Sequence, residues 1–99
     1  MKVFLSPQAQ FKLEKLNDYL LGNWNSKIRN EFIEKLTAKF KQISNFPESC
    51  VQSERHKGLY KCVLTKQTTF YYRIMGKNEI EIITFFDTRQ NPVNLKKDL

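Results

Sequence analysis

The apolar residues change their period at Pro47, and this change limits what the chain can fold into more than any other feature. Before it, Ile28, Phe32, Leu36, Phe40 and Ile43 recur at spacings of four, four, four and three, with Ile33 widening the row. That is a single stripe along one side of a helix. Beyond it, Tyr60, Cys62 and Leu64 alternate with Lys61, Val63 and Thr65, as side chains do on the two faces of a half-buried strand. Such a chain must bury a helical layer against a sheet layer.

The helical half has its own punctuation. Met1–Leu5 is a short apolar opening with strand character, and Ser6-Pro7 follows. A serine hydroxyl caps free amides, and proline suits the first helical position, where no amide partner is needed. Ala9, Leu13, Leu16 and Leu20 then keep helical spacing until Gly22, which is expected to end the helix. Trp24 falls in the connection, where it is expected to plug the gap between helices. Asn25-Ser26 offers the next cap, and Phe46-Pro47 closes the second helix because proline disfavours the helical conformation at the residue before it. A connection this short makes the two helices an antiparallel hairpin.

The second half reads as a meander. Thr68–Met75 is β-branched and aromatic, Gly76-Lys77-Asn78 is turn chemistry, and Glu79–Phe86 is apolar on both sides, as an interior strand is. Strict alternation sets Ile80, Ile82 and Phe86 on one side of that last strand. Val51–Arg55 reads as one more short strand, and residues 88–99 as a loosely held polar tail. The expectation is an α+β fold, βααβββ(β), with an N-terminal helical hairpin packed on one face of an antiparallel sheet. Residues 1–99 form a single domain, and the first strand joins the sheet although its sequence neighbours are helices.

Composition narrows the class of function. The 99 residues hold 17 Lys and Arg against 10 Asp and Glu, a formal charge of +7. The excess is spread over both halves, so any anion-binding surface has to be assembled by the fold. A polyanionic partner, nucleic acid or an acidic protein, suits such a chain. No apolar run is long enough to span a membrane, and no charged start precedes a signal-like core. The expected location is the cytoplasm. There Cys50 and Cys62, the only two cysteines, are expected to be reduced and to behave as small apolar residues. With one histidine, His56, beside the two cysteines, one chain cannot assemble a zinc site of four Cys and His ligands. Neither a metal nor any other cofactor is expected.

In the order of these elements, and in three stretches of sequence, the chain resembles the RelE/ParE superfamily of type II toxin–antitoxin toxins. The first stretch is Leu5-Ser6-Pro7-Gln8-Ala9 entering a helical hairpin. The second is Phe46-Pro47 closing it before Gly58-Leu59-Tyr60-Lys61. The third is Phe70-Tyr71-Tyr72-Arg73-Ile74, followed by an apolar strand that runs through Asp87-Thr88 into Arg89 and then Pro92. The resemblance implies a toxin of one of two kinds, a ParE-like inhibitor of DNA gyrase or a RelE-like nuclease that cuts messenger RNA on the ribosome. It also implies neutralisation by a cognate acidic antitoxin, with operator DNA engaged only through the antitoxin complex. A non-toxic anion- or protein-binding module of the same fold is a third reading.

RelE-like cleavage relies on basic residues and often a late tyrosine. Lys61 and Arg89 match basic positions of that pattern. The arginine expected before the next strand's aromatic is replaced by Thr69-Phe70, however, and no tyrosine follows Tyr72. These departures favour the ParE-like target, and Lys61, Arg73 and Arg89 would be catalytic only in a ribonuclease. As target- or anion-binding residues the candidates are Arg89, Arg73, Lys61, Tyr71, Lys66 and His56. Alternation sets Tyr71 and Arg73 on one face, opposite Tyr72 and Ile74, and Lys61 can share it. An aromatic ring beside cations suits stacked bases or an acidic peptide. Each candidate also has a structural reading: Arg73 paired with Glu79 or Glu81 across the meander, Arg89 paired with Asp87, and His56 and Lys66 simply solvated. Cys62 and the Phe32/Leu36/Phe40 stripe read as core.

Overall fold

The structure, a computed structural model, describes residues 1–87 and 99. Its elements are β1 (Lys2–Leu5), α1 (Pro7–Asn23), α2 (Ser26–Asn45), β2 (Val51–Gln52), β3 (Tyr60–Val63), β4 (Thr68–Met75) and β5 (Glu79–Asp87). The strands form one sheet in the order β1-β5-β4-β3-β2. The meander is antiparallel and β1 lies parallel to β5, so the sheet is mixed. This is the expected α+β fold, with β5 interior between β1 and β4. The shortest strand is β2, two residues in place of the expected Val51–Arg55.

Both helix starts follow their sequence signals. Ser6 Oγ accepts the Ala9 amide at 3.0 Å, and Asn25 Oδ1 accepts the Ile28 amide at 2.9 Å. α1 runs one residue beyond Gly22, and the Trp24 amide closes it on the Leu20 carbonyl at 3.1 Å. The Trp24 side chain does not plug the hairpin: it is 62 % exposed. A two-residue connection leaves the indole no depth to enter. α2 ends as expected, with Phe46 as its cap.

The core lies between the hairpin and one face of the sheet. Phe32, Leu36 and Ile43 of α2 meet Tyr60, Cys62, Phe70, Tyr72, Ile80, Ile82 and Phe85 there. Phe70 sits at its centre, edge-on to Phe40 with ring centroids 5.6 Å apart, while Tyr60 and Tyr72 stack at 5.1 Å. One expectation fails. Tyr71 pairs with Thr84 but Tyr72 pairs with Ile82, so Ile83 is an extra residue, a β-bulge. The bulge reverses the alternation after it. Phe85, not Phe86, joins Ile80 and Ile82 in the core, and Phe86 turns to the other face beside Tyr71.

Candidate functional site

The face of the sheet away from the helices carries the expected residues in the expected order. Lys61 pairs with Tyr71 across β3 and β4, and Tyr71 with Thr84 across β4 and β5. Arg73 lies two residues further along β4, opposite Glu81. Lys61 is exposed, whereas Tyr71 is only 6 % exposed and packs with Phe86. Burial pushes the Tyr71 phenol up, with the Arg55 charge opposing. Of the two acidic partners expected for Arg73 the structure selects Glu81: Arg73 Nε donates to Glu81 Oε1 at 2.8 Å. With side chains 50 % and 18 % exposed, the pair fixes the direction of the guanidinium while leaving its outer edge in water.

Arg73 and Glu81 form one wall of a pocket of about 760 Å³. The β2–β3 loop supplies the facing wall, Arg55, His56 and Lys57, and Ser6 and Gln8 at the start of α1 complete it. Four basic or imidazole side chains therefore line a cleft in which Glu81 is the one acidic side chain among the described residues, and Leu99 borders it as well. The start of a helix adds partial positive charge of its own. A cleft of this kind suits an anionic group with planar oxygens, which guanidinium matches in paired hydrogen bonds. His56 belongs to this cluster through its neighbours in space. Arg55 and Lys57 were not legible as site residues, because only the two-residue β2 and the Gly58 turn, with φ +84°, fold the loop back over β4.

Lys66 does not join them. It lies in the turn between β3 and β4, at the opposite end of β4 from Arg73. Arg89 falls outside the described residues, as does the expected tail apart from Leu99. Among the described residues no group of three or more His, Cys, Asp or Glu side chains could hold a metal, and no helix is long and apolar enough to cross a membrane.

A second concavity, about 750 Å³, opens between the tip of the helical hairpin and the β3–β4 turn. Its floor includes Leu16, Leu20, Phe32 and Phe85, and its rim carries Phe11, Tyr19 and Trp24, all exposed. Lys12, Lys15 and Lys35 border it, with Lys15 Nζ 5.1 Å from the centre of the Phe11 ring. Burial lowers the pKa of Lys12. Three exposed aromatic rings around one apolar hollow form the sort of patch that marks a protein partner. The helical spacing of Ala9, Leu13, Leu16 and Leu20 marks one face of α1 and gives no sign of a groove, and Phe11 stands outside that row.

This arrangement of sheet and hairpin is shared with solved toxin structures. A chain of the chromosomal ParDE toxin–antitoxin system from P. aeruginosa matches with a TM-score of 0.71 at 15 % identity, over 88 % of this chain and 95 % of that one. A YoeB/ParE toxin from Agrobacterium tumefaciens matches with a TM-score of 0.63 at 14 % identity, over 88 % and 98 %. Both show a common fold. The family itself is given by sequence: residues 3–92 match the ParE toxin of type II toxin–antitoxin systems (parDE), and the chain belongs to that family. No curated protein sequence matches it.

Proposed function

We propose that this protein arrests growth by binding DNA gyrase through the basic face of its sheet, and that a cognate acidic antitoxin silences it from the aromatic groove. The observation that carries the reading is the ParE family match over nearly the whole chain. The site supports a binding surface over a nuclease. Cleavage at a ribose hydroxyl needs a proton acceptor and a proton donor flanking the phosphate. The phenol on this face, Tyr71, is buried away from any substrate in solvent, and Arg73 is already engaged by Glu81. Lys61, Arg73 and His56, with Arg55 and Lys57 beside them, are proposed to contact the target. Arg89 is proposed as a further contact on the family resemblance, and Lys66 as a peripheral one. The groove suits an amphipathic acidic helix, apolar towards Leu16 and Phe32 and anionic towards Lys12, Lys15 and Lys35.

Two assays with the purified protein test the proposal. Inhibition of gyrase supercoiling at stoichiometric toxin, reversed by the neighbouring acidic gene product, is the expected result. Normal supercoiling with ribosome-dependent cleavage of messenger RNA would replace it with the RelE-like reading. Neither activity in a cell that grows normally would leave a non-toxic binding module.

A further inference from the structure

The two cysteines lie 12 residues apart in sequence and face each other in space. Val51 pairs with Lys61 and Gln52 with Tyr60, so one step back along the same register sets Cys50 opposite Cys62. The kind of pair follows from the hydrogen bonding. The Ser53 amide donates to the Leu59 carbonyl at 2.8 Å, which makes that pair a hydrogen-bonded one. Antiparallel pairs alternate, so 51/61 is hydrogen-bonded while 52/60 and 50/62 are not. In pairs of the second kind the Cα atoms lie about 4.5 Å apart and the side chains approach most closely. Disulfides need a Cα separation of roughly 4.4–6.8 Å. The register therefore sets the two thiols side by side on the core face, and both are free. The segment is also pinned from the helix side, where the Tyr72 hydroxyl donates to the Pro47 carbonyl at 2.8 Å.

We infer that Cys50 and Cys62 are a reversible dithiol–disulfide pair that staples the base of the β2–β3 hairpin. The hairpin tip carries Arg55, His56 and Lys57, so the staple would stiffen one wall of the basic pocket. That consequence rests on the proposed role of the pocket, whereas the disulfide itself does not. The oxidant is a small-molecule disulfide such as oxidised glutathione. Cys50, half-buried, reacts first: its thiolate attacks one glutathione sulfur, a Cys50–glutathione bond forms, and one glutathione leaves and takes up a proton. Cys62, 2 % exposed, then attacks the Cys50 sulfur from inside and expels the second glutathione, which takes up the other proton. Two electrons pass from the cysteines to the oxidant, and two reduced glutathiones result.

The second step is the slow one. Burial, and then the contact with Cys50, pushes the Cys62 thiol up to about 12, with Lys39 opposing. Tyr72, the other titratable group against the pair, is itself raised by burial and stays neutral, so it supplies no base. The Cys62 thiolate fraction therefore rises about tenfold per pH unit through the neutral range, and closure should accelerate with it.

The full-length protein in glutathione redox buffers, quenched by alkylation and analysed by mass spectrometry, tests the pair. The expected product is a monomer two hydrogens lighter with a Cys50–Cys62 linked peptide, forming about a hundredfold faster at pH 9 than at pH 7. Its melting temperature should exceed that of the reduced protein by about 10 °C, since the bond closes a short loop. Cys62→Ser should stop at the glutathione adduct on Cys50. Disulfide-linked dimers, a wild-type protein that also stops at the Cys50 adduct at pH 9, or an oxidised form melting no higher than the reduced one would each overturn the inference. Gyrase inhibition is read separately. An oxidised monomer with the expected mass and melting point but unchanged inhibition would keep the staple and remove its link to the target face.

Discussion

Ser6 holds two elements with one hydroxyl, and its removal should show both. Its oxygen accepts the Ala9 amide at the start of α1 and donates to the Ile83 carbonyl at 2.7 Å. Ile83 is the bulge residue, the one position of β5 without a partner on β4. Asn25 offers an internal control, because its side chain caps α2 in the same way. Losing a cap costs about 1 kcal/mol. Leaving a part-buried carbonyl without its donor costs about 1–2 kcal/mol more. Ser6→Ala should therefore destabilise by about 2–3 kcal/mol and Asn25→Ala by about 1 kcal/mol. At a urea m-value on the order of 1.5 kcal/mol/M, the midpoint falls by about 1.3–2 M for the first variant and about 0.7 M for the second.

The comparison also bears on the site. The bulge decides that Phe85 enters the core while Thr84 and Phe86 turn to the basic face, so the clamp on Ile83 holds that exchange in register. Ser6→Thr keeps both bonds and should unfold within about 0.5 kcal/mol of the parent, the range of an uneventful substitution. Equal midpoints for Ser6→Ala and Asn25→Ala would refute the clamp. Ser6 would then be a cap and nothing more, and the bulge would be held by packing alone.

Trp24→Ala should weaken antitoxin binding at least tenfold in calorimetric titration while changing stability by less than about 0.5 kcal/mol, because the indole is exposed on the groove rim. Arg73→Ala should lower gyrase inhibition about tenfold or more, with a stability change within about 1 kcal/mol as measured by denaturation, the usual worth of an exposed ion pair. Stopped-flow association with the acidic antitoxin should slow steeply between low and physiological salt, and a salt-independent on-rate would remove electrostatic steering from the account.

How far the residues announce this architecture depends on how local each determinant is. Both caps, the α2 stripe and the turn at Gly76 are decided within a few positions, and all of them stand. So does the placement of Lys61, Tyr71 and Arg73 on one face, which needs only the twofold period of a strand. The bulge at Ile83 was not legible, since an extra residue in a ladder shows only when the partner strand is known. Its cost was the exchange of Phe85 and Phe86. The same limit hid Arg55 and Lys57, whose neighbours on β4 and β5 come from the register of β2 on β3. It hid the contact of Cys50 with Cys62 for the same reason. Trp24 failed differently, because the hydrophobicity of a residue predicts burial only where the backbone leaves it a cavity to enter.

The separation of the two concavities constrains how one antitoxin could close both. Thr68, at the start of β4, borders the groove, and Arg73, five positions along the same strand, borders the basic pocket. At about 3.3 Å per residue the two are roughly 17 Å apart. A helix seated between Phe11 and Trp24 fills the groove and leaves Arg55, His56 and Arg73 open to a target. To cover them the chain must continue past the groove as an extended segment of at least five or six residues. On this face Thr69 and Tyr71 of β4 are buried while Lys61 of β3 is exposed, so the open route towards Arg73 runs along β3, where acidic side chains on that segment would meet Lys61. The outer edge of the sheet at β2 also shows apolar side chains, Val51 and Val63, on the same face as Lys61. A segment alternating apolar and acidic residues fits such a track, apolar towards the two valines and anionic towards the lysine and arginine. On this reading the groove supplies affinity and the strand-like continuation supplies neutralisation, because only the latter occupies the surface proposed to meet gyrase.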